Sequence, residues 1–169
     1  MSILRSRPWF APLLGAALLA FCGSAAALTE PEVRAVAEAA ESAAERNDVA
    51  GMAAYLSEDA IITVVAPKPD GSSETKSSTK SEFVAGEIEA HAKARNRRYQ
   101  SDVTRIVMAP DGQSGKAHVR AEESLVSDGH AVLASAEQVM TIQMRGGVAK
   151  ITAASTRVTS FKIDGVKIF

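Results

Sequence analysis

Glu123 and Gln138 are the residues of this chain best placed to do chemistry. Three alternating runs between Gly115 and Phe161 are joined at Asp128-Gly129 and Gly146-Gly147. A two-residue turn at Asp128-Gly129 pairs Ser127 with His130. It then sets Leu125 opposite Val132, Glu123 opposite Ala134, Ala121 opposite Ala136 and Val119 opposite Gln138. A three-residue loop at Gly146-Gly147 pairs Met144 with Val148, Met140 with Thr152 and Gln138 with Ala154, which keeps like faces together. One face of the sheet is then apolar, with Val119, Ala121, Ala134, Ala136, Met140 and Ala154, and Glu123 and Gln138 interrupt it. A carboxylate among aliphatic neighbours must be paired, protonated or wetted by a cavity, and such a carboxylate is what general acid–base work needs. Arg105 or Ser101 from the preceding strand, His91 from a helix and Tyr55 from another can face the same way. Together these residues describe a pocket with an apolar wall and a few convergent polar groups. The plainer alternative puts Glu123 near a strand end in contact with water and His91 at a helix edge.

The other face carries His118, Arg120, Glu122, Ser135, Glu137, Thr141, Ser155 and Arg157. Arg120, Glu137 and Arg157 fall close together and have the composition of a catalytic cluster. Alternating charge across exposed strands is ordinary cross-strand pairing, however. The expected use of this face is a sheet-to-sheet homodimer contact.

Helices must pack on the apolar face. Thr29-Glu30-Pro31-Glu32 is a capping box with proline in the first turn, and Val33, Val36, Ala37, Ala40 and Ala44 follow at helical spacing. Asp48 caps a second helix carrying Val49, Met52, Ala53 and Leu56. The β-branched run Ala60 to Ala66 predicts a strand that Pro67 stops. Pro67 to Ser78, polar and containing Asp70-Gly71, is expected to be a loop. Thr79-Lys80-Ser81-Glu82 opens a third helix running to about Arg95, with Val84, Ile88 and His91 on its inner side. Arg95, Arg97 and Arg98 then form a solvated basic helix end or an anion clamp. Tyr99 to Met108 is the strand before the meander. The order predicts an α+β fold, a curved antiparallel sheet wrapped around about three N-terminal helices.

The N-terminus has its own signature. Arg5 and Arg7 precede the apolar run Leu13 to Phe21, too short to span a bilayer, and Gly23-Ser24-Ala25-Ala26-Ala27 supplies small residues in A-x-A spacing. This is the pattern of a cleavable signal peptide over residues 1–27 and of a periplasmic or secreted protein. Lipidation at Cys22 is the rival, disfavoured by the bulky Phe21 before it. A domain over residues 28–160 and an apolar tail over residues 161–169 remain. Loss of Arg5 and Arg7 from 19 basic residues against 20 acidic leaves a modest acidic excess, with nothing to attract nucleic acid or hold the mature chain to a membrane. Cys22 is the only cysteine, so the exported domain can form neither a disulfide nor a thiol nucleophile. The three histidines lack ligand spacing, so no metal is expected. No Gly-rich phosphate loop and no G-x-S-x-G motif is present, and no cofactor is expected.

Two N-terminal helices, then Asp48-Val49-Ala50-Gly51-Met52 leading to Tyr55-Leu56-Ser57-Glu58-Asp59-Ala60-Ile61-Ile62, resemble the opening of the NTF2-like superfamily. The SnoaL-like polyketide cyclases and the ketosteroid isomerases belong to it. The resemblance covers about Pro31 to Ser160. It implies a cone-shaped fold with an internal pocket, often a homodimer, whose members are isomerases, dehydratases, cyclases or plain ligand binders. Asp59 matches the acidic position common before the first strand of the family. No Asp/His dyad falls on the inner face; Glu123 with Tyr55 or Tyr99 is the only candidate acid–base set. The expected function is binding of a small, partly apolar ligand by Tyr55, His91, Tyr99, Arg105, Gln138 and Met140. The alternatives are a cofactor-independent isomerase, dehydratase or cyclase using Glu123 or Asp59, and a structural interaction module docking through the apolar tail.

Overall fold

Capping residues begin each helix where the sequence places them. In the structure, a computed structural model that describes residues 27–68 and 70–169, α1 spans Glu30–Glu45, α2 Val49–Tyr55 and α3 Lys80–Lys93. Glu32 accepts the Thr29 backbone N–H at 2.8 Å. Asp48 accepts from Gly51 N at 2.8 Å. At α3 the box is reciprocal: Thr79 N donates to Glu82 at 2.8 Å, and Glu82 N donates to the Thr79 hydroxyl at 3.3 Å. The expected signal peptide and Cys22 lie outside the described residues.

The strands are β1 Leu56–Pro67, β2 Ser73–Thr79, β3 Arg95–Met108, β4 Ser114–Ser127, β5 His130–Arg145, β6 Val148–Ile163 and β7 Val166–Lys167. They form one curved, unclosed sheet ordered β2-β1-β6-β5-β4-β3, with β7 added to β6. Only the β1–β6 contact is parallel. Val33, Ala37 and Ala40 of α1 join Ala117, Val119, Met140, Ile142, Ile151 and Ala154 in the core. Alanines keep that helix close to the sheet. The approach is closest at Gly115, where a Cβ would fall 2.5 Å from Val33 Cγ2 and 2.9 Å from Met108 Sδ. Ile142 is fully buried, a burial worth about 1.5–3 kcal/mol.

The first hairpin of the meander has the expected register, from Ser127 opposite His130 to Val119 opposite Gln138. Asp128 and Gly129 both take positive φ (52° and 85°), the type I′ turn that matches strand twist. Three expectations need correction. First, Gly146-Gly147 also makes a two-residue turn, pairing Arg145 with Val148. Like faces are restored by a bulge at Thr152, so that Ile142 meets Ile151 and Met140 meets Ala154. Second, the expected loop Pro67 to Ser78 contains β2, antiparallel to β1 from Thr79 opposite Ile61 to Ser73 opposite Pro67. β2 is an edge strand exposed along nearly its whole length. With both faces in water it has no apolar alternation to reveal it, and its Ser, Thr, Lys and Glu side chains discourage further pairing. Third, Arg95, Arg97 and Arg98 belong to β3 rather than to a helix end, because α3 stops at Lys93.

Residues 161–169 return along the sheet. Asp164 and Gly165 make a third positive-φ turn, Ile168 N donates to Phe161 O at 2.9 Å, and the rings of Phe161 and Phe169 stack 5.7 Å apart. Among the described residues no helix is long and apolar enough to cross a membrane.

Candidate functional site

The inward stripe of α3 is Phe83, Glu87 and His91, spaced by four, whereas Ile88 is 58% exposed. The expected stripe through Ile88 was rotated by about a third of a turn, because Val84 and Ile88 look like the better apolar pair. Phe83, Glu87 and His91 face a cavity of about 290 Å³ between the helices and the inner face of the sheet. Its walls include Met52 of α2, Ile62 and Val64 of β1, and Ala121, Ala134, Ala136, Met140 and Val158 of the meander.

Polar groups gather where α1, α3, β3 and β4 meet. Alternation along β3 turns Arg97 and Tyr99 inward. The Arg97 Nε donates to the Glu123 carboxylate, and its Nη1 donates to Ala44 O at 3.2 Å and to Asn47 Oδ1. The guanidinium carbon lies 5.4 Å from the centroid of the Tyr99 ring. Tyr99 donates its hydroxyl to Glu41 Oε2 at 2.8 Å. Glu41 sits on the buried stripe of α1 and is 6% exposed. Burial pushes its carboxyl above the usual range, offset in part by hydrogen bonds that favour the anion. Burial, then the nearby Glu41 carboxylate, pushes the Tyr99 hydroxyl well above its ordinary value, so it remains a donor. Glu87 is likewise pushed up by burial, against the pull of His91 and Arg97 and with a further push from Glu123. His91 Nε2 lies 3.4 Å from Glu87 Oε2, but this buried nitrogen has no hydrogen-bond partner.

The structure brings His91, Tyr99, Glu123, Gln138 and Met140 to this cavity. Tyr55, Arg105 and Asp59 are elsewhere. Tyr55 ends α2 and packs partly buried against the core. A bulge at Thr104 reverses the phase of β3, so that Val103 meets Val119 on the inner side while exposed Arg105 meets His118. Ser101, the other residue considered on β3, donates its backbone N–H to Glu45 at 3.1 Å. Asp59 is 69% exposed and lies 3.7 Å from Arg145 on the outside of the fold, so it cannot work with Glu123 on one substrate.

Glu41 and Glu87 are the residues that reading the sequence missed, and both left a signal. Glu41 follows Val33 and Ala37 at intervals of four, on the very stripe assigned to the core, and Glu87 stands four residues before His91. Arg97 was expected at a helix end, in a basic cluster or anion clamp; its inward direction on β3 depends on where that strand begins. On the outer face Arg120 meets Glu137 and Glu137 meets Arg157 across three strands, all exposed. Among the described residues no group of three or more His, Cys, Asp or Glu could hold a metal ion.

No family model matches the chain, and no curated protein matches it in sequence. Solved structures do match. A ketosteroid isomerase-like protein from Erwinia carotovora atroseptica is 14% identical with a TM-score of 0.56, over 77% of this chain and 95% of that one. The hexachlorocyclohexane dehydrochlorinase of Novosphingobium barchaimii is 13% identical with a TM-score of 0.62, over 79% and 88% of the two chains. An NTF2-like protein from Cytophaga hutchinsonii is 17% identical with a TM-score of 0.57, over 78% and 99%. At such identities the similarity speaks for architecture alone. The chain has the NTF2-like fold.

Proposed function

We propose that the protein is an exported, non-enzymatic NTF2-like domain that holds a small, partly apolar ligand in the cavity between its helices and sheet. The observation that carries this reading is the cavity itself: aliphatic walls, with polar groups converging at one end from α1, α3, β3 and β4. That division is the usual form of a small-molecule site, in which apolar walls provide affinity and a few polar groups fix orientation. A volume of about 290 Å³ suits a compound of one or two rings. Thermal-shift and native mass spectrometry screens against such compounds test it. Stabilisation that disappears in Ala136→Trp, which fills the cavity, supports the reading; no stabilising compound in a broad library counts against it. Export rests on the N-terminal pattern, and N-terminal sequencing of protein from a periplasmic fraction checks cleavage near Ala27. Homodimerisation through the outer face rests on its exposed rows, and light scattering of Glu137→Lys against the parent checks it.

A second reading, an acid–base isomerase, dehydratase or cyclase, is favoured by Glu87 and His91. A carboxyl raised by burial beside an imidazole nitrogen without a hydrogen bond is suited to proton transfer at a bound substrate. Glu123, the other carboxylate considered as a base, already receives Arg97. Once a substrate is found, turnover surviving Glu123→Gln but not Glu87→Gln would place the base on α3.

A further inference from the structure

We propose that the ligand of this cavity is an organic amine, its ammonium group seated between Glu41 and Glu87 and its apolar body against the meander. The proposal rests on the reading of the cavity as a ligand site and names the ligand's chemical class. The charged lining residues are Glu41, Asp48, Glu87, Glu123, Arg97 and His91, with no lysine among them. Four carboxylates therefore face one guanidinium and one imidazole.

That guanidinium is already committed. Arg97 donates to Glu123, to Asn47 and to Ala44 O, so it compensates one carboxylate and has little left for an incoming anion. Asp48 is occupied as the α2 cap. Glu41 and Glu87 remain. Glu41 receives the Tyr99 hydroxyl, and a hydrogen bond from Ser101 also favours its anion. Glu87 meets only His91, 3.4 Å away and badly aligned. A carboxylate that has lost much of its water and has few protein donors, as the 30% exposed Glu87 has, favours a cation that brings several N–H groups, and an ammonium supplies three donors on one atom. The ring of Phe83 lines the same cavity and adds a face suited to a cation. A carboxylate ligand would meet like charge. A neutral alcohol would leave the acidic excess uncompensated.

The direction of the pH dependence follows. Burial raises the carboxyls of Glu41 and Glu87 in the empty cavity, so acid neutralises them and removes the attraction for a cation. The other groups facing them are Glu45 on α1, which pushes the Glu41 carboxyl further up, Asp48 beside α2, His91 on α3, Arg97 and Tyr99 on β3, and Glu123 on β4.

Isothermal titration of the purified full chain with 1-naphthylmethylamine, 1-naphthalenemethanol and 1-naphthoate tests the proposal, since the three probes share a body and differ in charge. The amine is expected to bind about tenfold more tightly than the alcohol near pH 8, a single well-placed charge interaction, with the preference shrinking toward about pH 5. Glu87→Gln should remove most of the preference for the amine over the alcohol, while Glu137→Gln on the outer face should leave that preference unchanged. The pH series on the unaltered protein gives the same information should Glu87→Gln fold poorly. Equal or tighter binding of the alcohol or the naphthoate overturns the amine assignment and leaves the ligand site standing. Absence of binding by all three overturns both.

Discussion

Two arginine–glutamate pairs lie on neighbouring strands, on opposite faces of one sheet. Arg97 and Glu123 meet inside, with side chains 12% and 31% exposed. Arg120 and Glu137 sit opposite each other outside, both in water. On paper the outer group, completed by Arg157, looks more like an active site. Physically it is the weaker of the two, because water screens exposed charges and long side chains lose entropy when held together. The inner pair has lost most of its water and is surrounded by the Tyr99 ring, Asn47 and the end of α1. The same residue types thus make a solvated surface in one place and a site in the other, and burial decides which.

That contrast can be broken in several ways. The largest effect is expected from the core: Ile142→Ala should cost about 3–4 kcal/mol by leaving a void, whereas Leu133→Ala on the same strand, 40% exposed, should cost under about 1 kcal/mol. Urea denaturation measures both. Next, Arg97→Met should cost about 2–3 kcal/mol, since Glu123 keeps its burial and loses its partner, while Arg120→Met should stay within about 0.5 kcal/mol. Similar losses for the two arginines would remove the distinction between the faces.

A smaller effect concerns pH. The folded-state carboxyl of Glu41 is raised above its unfolded value. Its contribution is therefore full below the unfolded value and is lost as pH rises through the raised one. Glu41→Gln should accordingly gain stability relative to the parent as pH climbs from about 4 to about 8, and Glu137→Gln should not. Denaturation midpoints across that range check the sign. The smallest effect is expected from Asp59→Asn. The carboxylate is exposed on the outside of the fold, so ligand binding should be unchanged and the denaturation midpoint should barely move.

How much could be read in advance varied with distance along the chain. Asp128-Gly129 announced a two-residue turn, and the pairings of Glu123 and Gln138 followed from counting outward. The same counting failed at Gly146-Gly147, because a bulge at Thr152 separates the turn from the register beyond it. A bulge is favoured by what packs on both faces of the sheet at once, and nothing local to Thr152 marks it. The bulge at Thr104 similarly turned Arg105 away from the cavity. Glu41 and Glu87 were visible as positions on helical stripes, but a glutamate on a stripe signals a site only when that stripe is known to face a cavity.

Local chemistry by itself determined where the helices start, which apolar runs become strands, how the first hairpin pairs, and the α+β class, because caps, turns and alternation act over a few residues; the polar edge strand β2 was outside its reach. The sheet's bulges, the inward direction of Arg97 and the meeting of Glu41, Glu87 and Glu123 at one end of a cavity were decided only in three dimensions. Those features depend on which surfaces lose water together, and residues as far apart as Glu41 and Glu123 share that loss only after the sheet has curved around the helices.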